Sequence, residues 1–320
     1  MLRRSETISD SLEATSPDLH AEIEGIAVGA EQPLAAIVAL NARTMFLRAA
    51  GRALTDPEDD AECTTGALLP DATANGHTYL FGNWDQHERC IDNSVLLEIR
   101  VVGRPAVFVL TEAGILIRTG FNEHGIGITG NSLWSGDDTG STSGVPWPVV
   151  RRRVLHHDRL ATAMGEVFGA RRTHSGNHVV ADAEGFAVDL EASPSDVFAL
   201  VPDAGLLTHS NHFLSVGARS RLTDVQLGRS PSTLYRNVRV EGALRPRVGS
   251  IGVADIQAAL RDHFGHPQSV CAHARDTNTM TVASHIADLT ERTMTISSGP
   301  PCENDYRVYR LDPTVSPRSM

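Results

Sequence analysis

Five short runs between residues 77 and 131, HTYLFGNW, SVLLEIRVV, PAVFVLTE, GILIRTG and GIGITGN, limit what this chain can fold into more than any other feature. Each is rich in β-branched or aromatic residues and is closed by Gly, Pro, Asn or Asp, the pattern of consecutive strands joined by turns. They read as neighbours in one antiparallel sheet. NHVVAD, GFAVDLE, DVFALV and GLLTHSNHF form a second group of strands, and TMTVASHIADL, RTMTISS and YRVYRL close the chain. Helical spacing fills the intervals: the first fifty residues, 147–168, and two helices around 219–236 and 253–264. Strands that come in groups, and do not alternate singly with helices, predict a layered α+β domain and not a doubly wound parallel fold. No repeat at a fixed period interrupts the 320 residues, so one domain is expected.

Near the start, Ser16-Pro17-Asp18 supplies an N-cap, a first-turn proline and an acid, followed at helical spacing by Leu19, Ile23 and Ile26. Leu34, Ile37, Val38 and Met45 form a second stripe after Pro33, and two short packed helices are expected. From Gly51 to Glu62 the composition turns acidic, with Asp56, Glu58, Asp59, Asp60 and Glu62 around Pro57, which reads as a solvated linker. SGDDTGSTSG, residues 135–144, reads as a mobile loop and a candidate lid.

Composition excludes several kinds of chemistry. All 28 basic residues are arginines, so there is no lysine for a Schiff base or a P-loop, and the formal charge of −11 suits neither nucleic acid nor a phosphate surface. The first thirty residues lack a signal-peptide pattern and no apolar run is long enough for a bilayer, so a cytoplasmic protein is expected. Cys63, Cys90, Cys271 and Cys302 form no C-x-x-C pair, which predicts free thiols with neither a zinc ribbon nor a disulfide framework.

Two apparent motifs do not carry chemistry. GIGITG at 125–130 matches a dinucleotide fingerprint by letter, but its glycines alternate with Ile126 and Ile128 as in a strand and no helix can start after it. The fourteen histidines include His156 with His157, His209 with His212 and His263 with His266. None falls in a helical H-E-x-x-H pattern, and a spacing of three on a strand puts His209 and His212 on opposite faces. Solvated or hydrogen-bonded histidines are expected, and no metal.

Cys63 is different. AECTTG places a lone thiol between the acidic linker and the apolar ALL that follows. Thiolates are strong nucleophiles but need a base, and His77, the nearest histidine, lies in no cysteine-protease signature. If the bond before Cys63 is cut, the new α-amino group, with a reference pKa of about 7.7–8.0, can take the proton of the thiol on the same residue.

ECTTG, GNWDQ, LTEAGI, GFNEHGIGIT, VDLEASP, HSNHFL, QSVCAH, VASHIADLTERTMTIS and GPPCE, in this order from about residue 20 onward, resemble the acyl-coenzyme A:6-aminopenicillanic acid acyltransferase family of N-terminal nucleophile hydrolases. The resemblance implies a four-layer αββα sandwich made as a precursor that cleaves itself into residues 1–62 and 63–320, together one structural domain. It implies that Cys63 is the autoproteolytic residue and nucleophile, Asp85 the catalytic aspartate and Asn211 the oxyanion asparagine, with the cut between Glu62 and Cys63. A carboxylate can position the new ammonium, and an asparagine amide can donate to an oxyanion without changing charge. Two positions depart from the family: Glu62 stands where glycine is usual, and Ala272 where an arginine is usual, with Arg275 nearby. The second removes a group suited to binding a carboxylate.

The expected activity is a self-processing cysteine amidohydrolase or acyltransferase acting on a small acyl amide or acyl thioester, with water or an amine as acceptor. No cofactor is expected, coenzyme A entering only as part of a thioester donor. Two alternatives stay open: an unprocessed cysteine amidase with a histidine base, and a catalytically silent binding protein on the same fold.

Overall fold

A computed structural model describes residues 2–50, 62–275 and 278–312. The linker acids at 56, 58, 59 and 60 lie outside the described residues; Glu62 lies inside them. The amino-terminal region forms four helices, not the two expected: α1 (Leu2–Thr15), α2 (Pro17–Gly29), α3 (Leu34–Asn41) and α4 (Arg43–Ala50). Pro17 starts α2 at its first turn, and a break at Ala42 separates α3 from α4. Ser16 occupies the N-cap of α2 but its hydroxyl makes no cap bond. Asp18 instead pairs with Arg104 and lies near His156.

The strands divide between two antiparallel sheets. Seven follow one another in sequence order: β3 (Ser94–Ile99), β4 (Val107–Glu112), β5 (Thr119–Asn122), β6 (Gly127–Thr129), β7 (Gly176–Ala181), β8 (Ala187–Ala192) and β9 (Val197–Leu200). The other sheet has the order β10-β1-β2-β11-β12-β13, built from β10 (Leu206–His209), β1 (Cys63–Leu68), β2 (Tyr79–His87), β11 (Thr279–Asp288), β12 (Thr293–Ser298) and β13 (Arg307–Arg310). The expectation of one sheet from the five early runs is therefore corrected: HTYLFGNW becomes β2 and pairs with β1 and β11, while the next four runs enter the larger sheet. Both sheets are covered on both sides, so these strands are apolar on both faces and no alternation marks which sheet they join.

Side-chain alternation creates the layers. Val107 and Val109 of β4 face α1–α3 and two further helices, α5 (Trp147–Val154) and α6 (Leu160–Phe168), whereas Phe108 and Leu110 face the other sheet. Leu80 and Trp84 of β2 meet them between the sheets, while Tyr79 and Phe81 pack outward on α9 (Ser232–Leu244) and α10 (Val253–Leu260). The outcome is the four-layer αββα sandwich. Two short helices, α7 (Val216–Arg221) and α8 (Val225–Arg229), precede α9, so the stretch expected to hold one helix holds three. Among the described residues no helix is long and apolar enough to cross a membrane.

GIGITG is strand and turn, as its alternation predicts: Ile126 and Ile128 are buried, and a Cβ on Gly130 would lie 1.9 Å from the Asn177 carbonyl. The 135–144 segment is a loop, but a tethered one. Asp138 accepts from Ser175 Oγ (2.6 Å) and Ser135 Oγ (3.1 Å) and lies 3.4 Å from Arg48 Nε. A fully polar sequence here supplies anchors for a buried carboxylate, not freedom.

Candidate active site

Cys63 is the first residue of β1, in the interior of the six-stranded sheet between β10 and β2. Its register partner on β2 is Trp84, and both side chains face the space between the sheets. Asp85, next along β2, points to the opposite side. The β2 ladder includes Cys63, whereas pairing with β10 begins only at Thr65, which leaves the Cys63 backbone groups on that flank to side chains.

Every polar group of the Glu62–Cys63 peptide has a partner. The Cys63 N–H donates to Asn211 Oδ1 at 2.9 Å, and the Asp85 N–H donates to the Glu62 carbonyl at 2.9 Å. The Cys63 carbonyl accepts from Arg236 Nη1 (2.7 Å) and Asn131 Nδ2 (3.0 Å). Asn211 is oriented by two donors on its oxygen, since Arg236 Nη2 also reaches Oδ1 at 3.0 Å, and its Nδ2 donates to Ser132 O at 2.9 Å. The structure thus brings Glu62, Cys63, Asp85 and Asn211 together from three separate stretches of chain.

Arg236, fully buried on α9, is the positive centre of this group. It contacts the Cys63 carbonyl, Thr64 Oγ1 (3.0 Å), Asn211 and, at 3.5 Å, Glu62 Oε2. The Glu62 carboxylate also accepts from the hydroxyls of Ser230 and Ser232. The residue before the candidate scissile bond is therefore held by its charge, which a glycine would not allow.

Asp85 is completely buried. Its Oδ1 accepts from Thr281 Oγ1 at 2.6 Å and its Oδ2 has no hydrogen-bond partner. Burial pushes its carboxyl up to about 7, against the pull of Arg236 and the Thr281 hydrogen bond. Burial, with the Asp85 charge second, also pushes the Cys63 thiol up to about 11. Before any cut the thiol is protonated and a poor nucleophile at neutral pH.

The thiol borders a cavity of about 240 Å³ between the sheets. Trp84, Trp147 and Ile117 supply apolar walls, and Arg118 and Arg151 bring guanidinium groups. Burial and neighbouring Arg43 lower Arg118 to about 10, so it keeps its charge at neutral pH. Arg118 approaches Glu112 at 3.5 Å, and its buried Nε has no hydrogen-bond partner.

No histidine among the described residues hydrogen-bonds the Cys63 sulfur. His285 borders the same cavity, but its Nε2 lies 3.2 Å from Thr129 Oγ1 and burial lowers it to about 4. His209 ends β10 bound to Glu191 (3.0 Å). His212 falls past the strand with its ring 6.5 Å from that of His209, so the opposite-face expectation does not apply.

Sequence reading missed Asn131, Arg236, Arg118 and Thr281. Only a polar side chain at a strand end signals Asn131, and nothing separates Arg236 from the other arginines. It also expected solvated histidines and no metal, whereas His263, Cys271, His273 and Cys302 converge with all four ligand atoms within 4.8 Å of one another. Ala272, the second departure from the family, contributes its backbone: its N–H donates to Thr281 Oγ1 at 2.9 Å, the same hydroxyl that holds Asp85.

No protein-family model matches the chain. It is 29% identical over 259 residues to the 40 kDa form of acyl-coenzyme A:6-aminopenicillanic-acid acyltransferase from Emericella nidulans, covering 80% of this chain and 67% of that protein. Among solved structures, a variant of conjugated bile acid hydrolase from Clostridium perfringens superposes with a TM-score of 0.54 at 13% identity, over 80% of this chain and 99% of that one. A second variant of the same enzyme gives 0.50 over the same shares. At that identity the superposition speaks for the fold alone, and the fold is the one built above from the strand order.

Proposed function

Given its 29% identity to an acyl-coenzyme A:6-aminopenicillanic-acid acyltransferase, we propose that the chain belongs to that family of N-terminal nucleophile hydrolases, matures by cutting its own Glu62–Cys63 bond and then works through a Cys63 acyl-enzyme. The reading rests on the peptide group itself, whose carbonyl is polarised by the Asp85 N–H and whose nitrogen is held by Asn211 Oδ1. In the first reaction the Cys63 sulfur attacks the Glu62 carbonyl carbon. The C–N bond breaks, the nitrogen takes the thiol proton, and water hydrolyses the resulting thioester. The products are a Glu62 carboxylate and a Cys63 with free α-amine and free thiol.

The new amine changes the electrostatics. With a reference pKa of about 7.7–8.0 it is a far better match to neutral pH than a thiol pushed up to about 11. It accepts the thiol proton as sulfur attacks the acyl carbonyl and returns it to the departing amine or thiolate. Asp85 stabilises the ammonium, and the N–H of Asn211 that Ser132 does not use is available to the oxyanion. Water or an amine then takes the acyl group from sulfur.

The substrate class follows from the cavity. About 240 Å³ with tryptophan walls suits a small acyl group, and Arg118 and Arg151 favour a donor or acceptor carrying an anionic group. Arg118, which borders the cavity, is the proposed carboxylate partner. Acyl amides and acyl thioesters are the proposed donors.

Denaturing mass analysis tests this reading. A processed protein gives fragments of roughly 7 and 28 kDa, in proportion to 62 and 258 of its 320 residues, with Cys63 at the new amino terminus. A single 34.4 kDa species that turns over acyl amides refutes it.

A further inference from the structure

We propose that His263, Cys271, His273 and Cys302 form a structural zinc site that clamps the outer end of the six-stranded sheet beside the active site. No part of the proposed acyl chemistry uses these residues. His263 follows α10, Cys271 and His273 lie on the connection to β11, and Cys302 lies between β12 and β13. Cys271 and His273, two residues apart on that connection, both reach the one centre.

Four of the six separations between ligand atoms approach those of a tetrahedron. With Zn–S of about 2.3 Å and Zn–N of about 2.0–2.1 Å, tetrahedral edges come to roughly 3.8 Å for S···S, 3.3 Å for N···N and 3.6 Å for N···S. Here Cys271 Sγ and Cys302 Sγ are 3.5 Å apart, and His263 Nε2 and His273 Nε2 are 3.1 Å apart. His273 Nε2 lies 3.6 Å from the Cys271 sulfur and 3.3 Å from the Cys302 sulfur. A disulfide would need the sulfurs at about 2.05 Å. The two remaining pairs, between His263 and each sulfur, lie within 4.8 Å.

Two further features fit an ion. His273 turns its other nitrogen, Nδ1, toward Glu303 Oε1 at 3.4 Å, the carboxylate–histidine arrangement that orients metal-bound imidazoles. Two thiolates would also balance a divalent charge, their protons leaving to solvent as the metal binds. Thiolate and imidazole together select zinc over magnesium or calcium.

The clamp has a mechanical consequence. Ala272 sits between two ligands, its carbonyl accepts from the Thr281 N–H (3.1 Å) and its own N–H donates to Thr281 Oγ1. Thr281 in turn donates to Asp85. Zinc at this point would fix the backbone that positions the Asp85 partner.

The test uses the full chain purified from zinc-supplemented medium without chelator. Elemental analysis is expected to find about one zinc per chain, and cobalt substitution to give the intense visible bands of a tetrahedral thiolate site. Cys302→Ala removes an exposed side chain, so the variant keeps its core, and its zinc content should fall about tenfold or more. Cys271→Ser should behave alike. Circular dichroism of Cys302→Ala matching that of the parent shows that the loss is of ligand and not of fold. The proposal is overturned by a folded, reduced protein that takes up no zinc on equilibration with the metal. It is equally overturned by zinc retained in full by Cys302→Ala, or by a Cys271–Cys302 disulfide in the protein as purified.

Discussion

Asp85→Asn, made on a Cys63→Ala background that keeps the chain in one piece, measures the strain buried at the candidate cleavage site. The Asp85 carboxyl sits at about 7 in the fold against an ordinary 3.8, chiefly through burial. The folded state therefore holds its proton between those two values while the unfolded chain has released it, and stability falls as pH rises through that window. At about 1.36 kcal/mol per pH unit, the loss reaches roughly 4 kcal/mol by pH 8 and vanishes below pH 4. Asparagine keeps the acceptor for Thr281 but places an NH2 group where Oδ2 has no hydrogen-bond partner, which costs about 1–3 kcal/mol at every pH. The two stability curves should cross: the variant is the less stable at pH 4 and the more stable, by roughly 1–3 kcal/mol, at pH 8. Urea unfolding at half-unit pH steps reads this directly. A stability difference that stays flat from pH 4 to pH 8, or that turns against the variant as pH rises, refutes the buried, uncompensated carboxylate.

Cys63→Ala alone should leave a single 34.4 kDa chain with no turnover, and fragments in that variant would place the cut under other control. Arg236→Met strips the cation from the Cys63 carbonyl, Asn211 and Glu62, so it should slow processing and cost about 3–5 kcal/mol by urea unfolding, a neutral result being the contrary outcome. Arg118→Gln should raise KM about tenfold or more for acyl donors bearing a carboxylate while leaving neutral donors little changed, and an equal effect on both would remove its proposed role. In the processed enzyme, kcat/KM should rise with pH up to about 8, as the α-amine loses its proton, and a profile governed by a group near pH 6 would favour a histidine base.

Local residue patterns carried much of this. The alternation in GIGITG identified a strand because Ile126 and Ile128 point to the same buried side, and the grouping of β-branched runs gave the layer type because antiparallel neighbours need only short turns. The thiol of Cys63 stood out because its position at the head of a strand makes no sense for a packing residue. Family resemblance then supplied Asp85 and Asn211, whose residue types alone say no more than turn or strand end.

Partners across the sheets were beyond that reach. Tyr79 and Leu80 are equally apolar yet face different layers, so β2 could not be assigned to its sheet until β1 and β11 were seen beside it. Arg236, Asn131 and Thr281 meet Cys63 and Asp85 across loops of dozens to nearly two hundred residues, and no spacing rule spans such distances. The convergence of His263, Cys271, His273 and Cys302 is of the same kind. By itself, then, the sequence determined most of the strands, the α+β layering and the candidate thiol, because those depend on residues close along the chain. Tertiary structure alone decided which charges surround that thiol and which side chains meet at the sheet's outer end, because desolvation and hydrogen bonding act through space, between groups that only folding brings together.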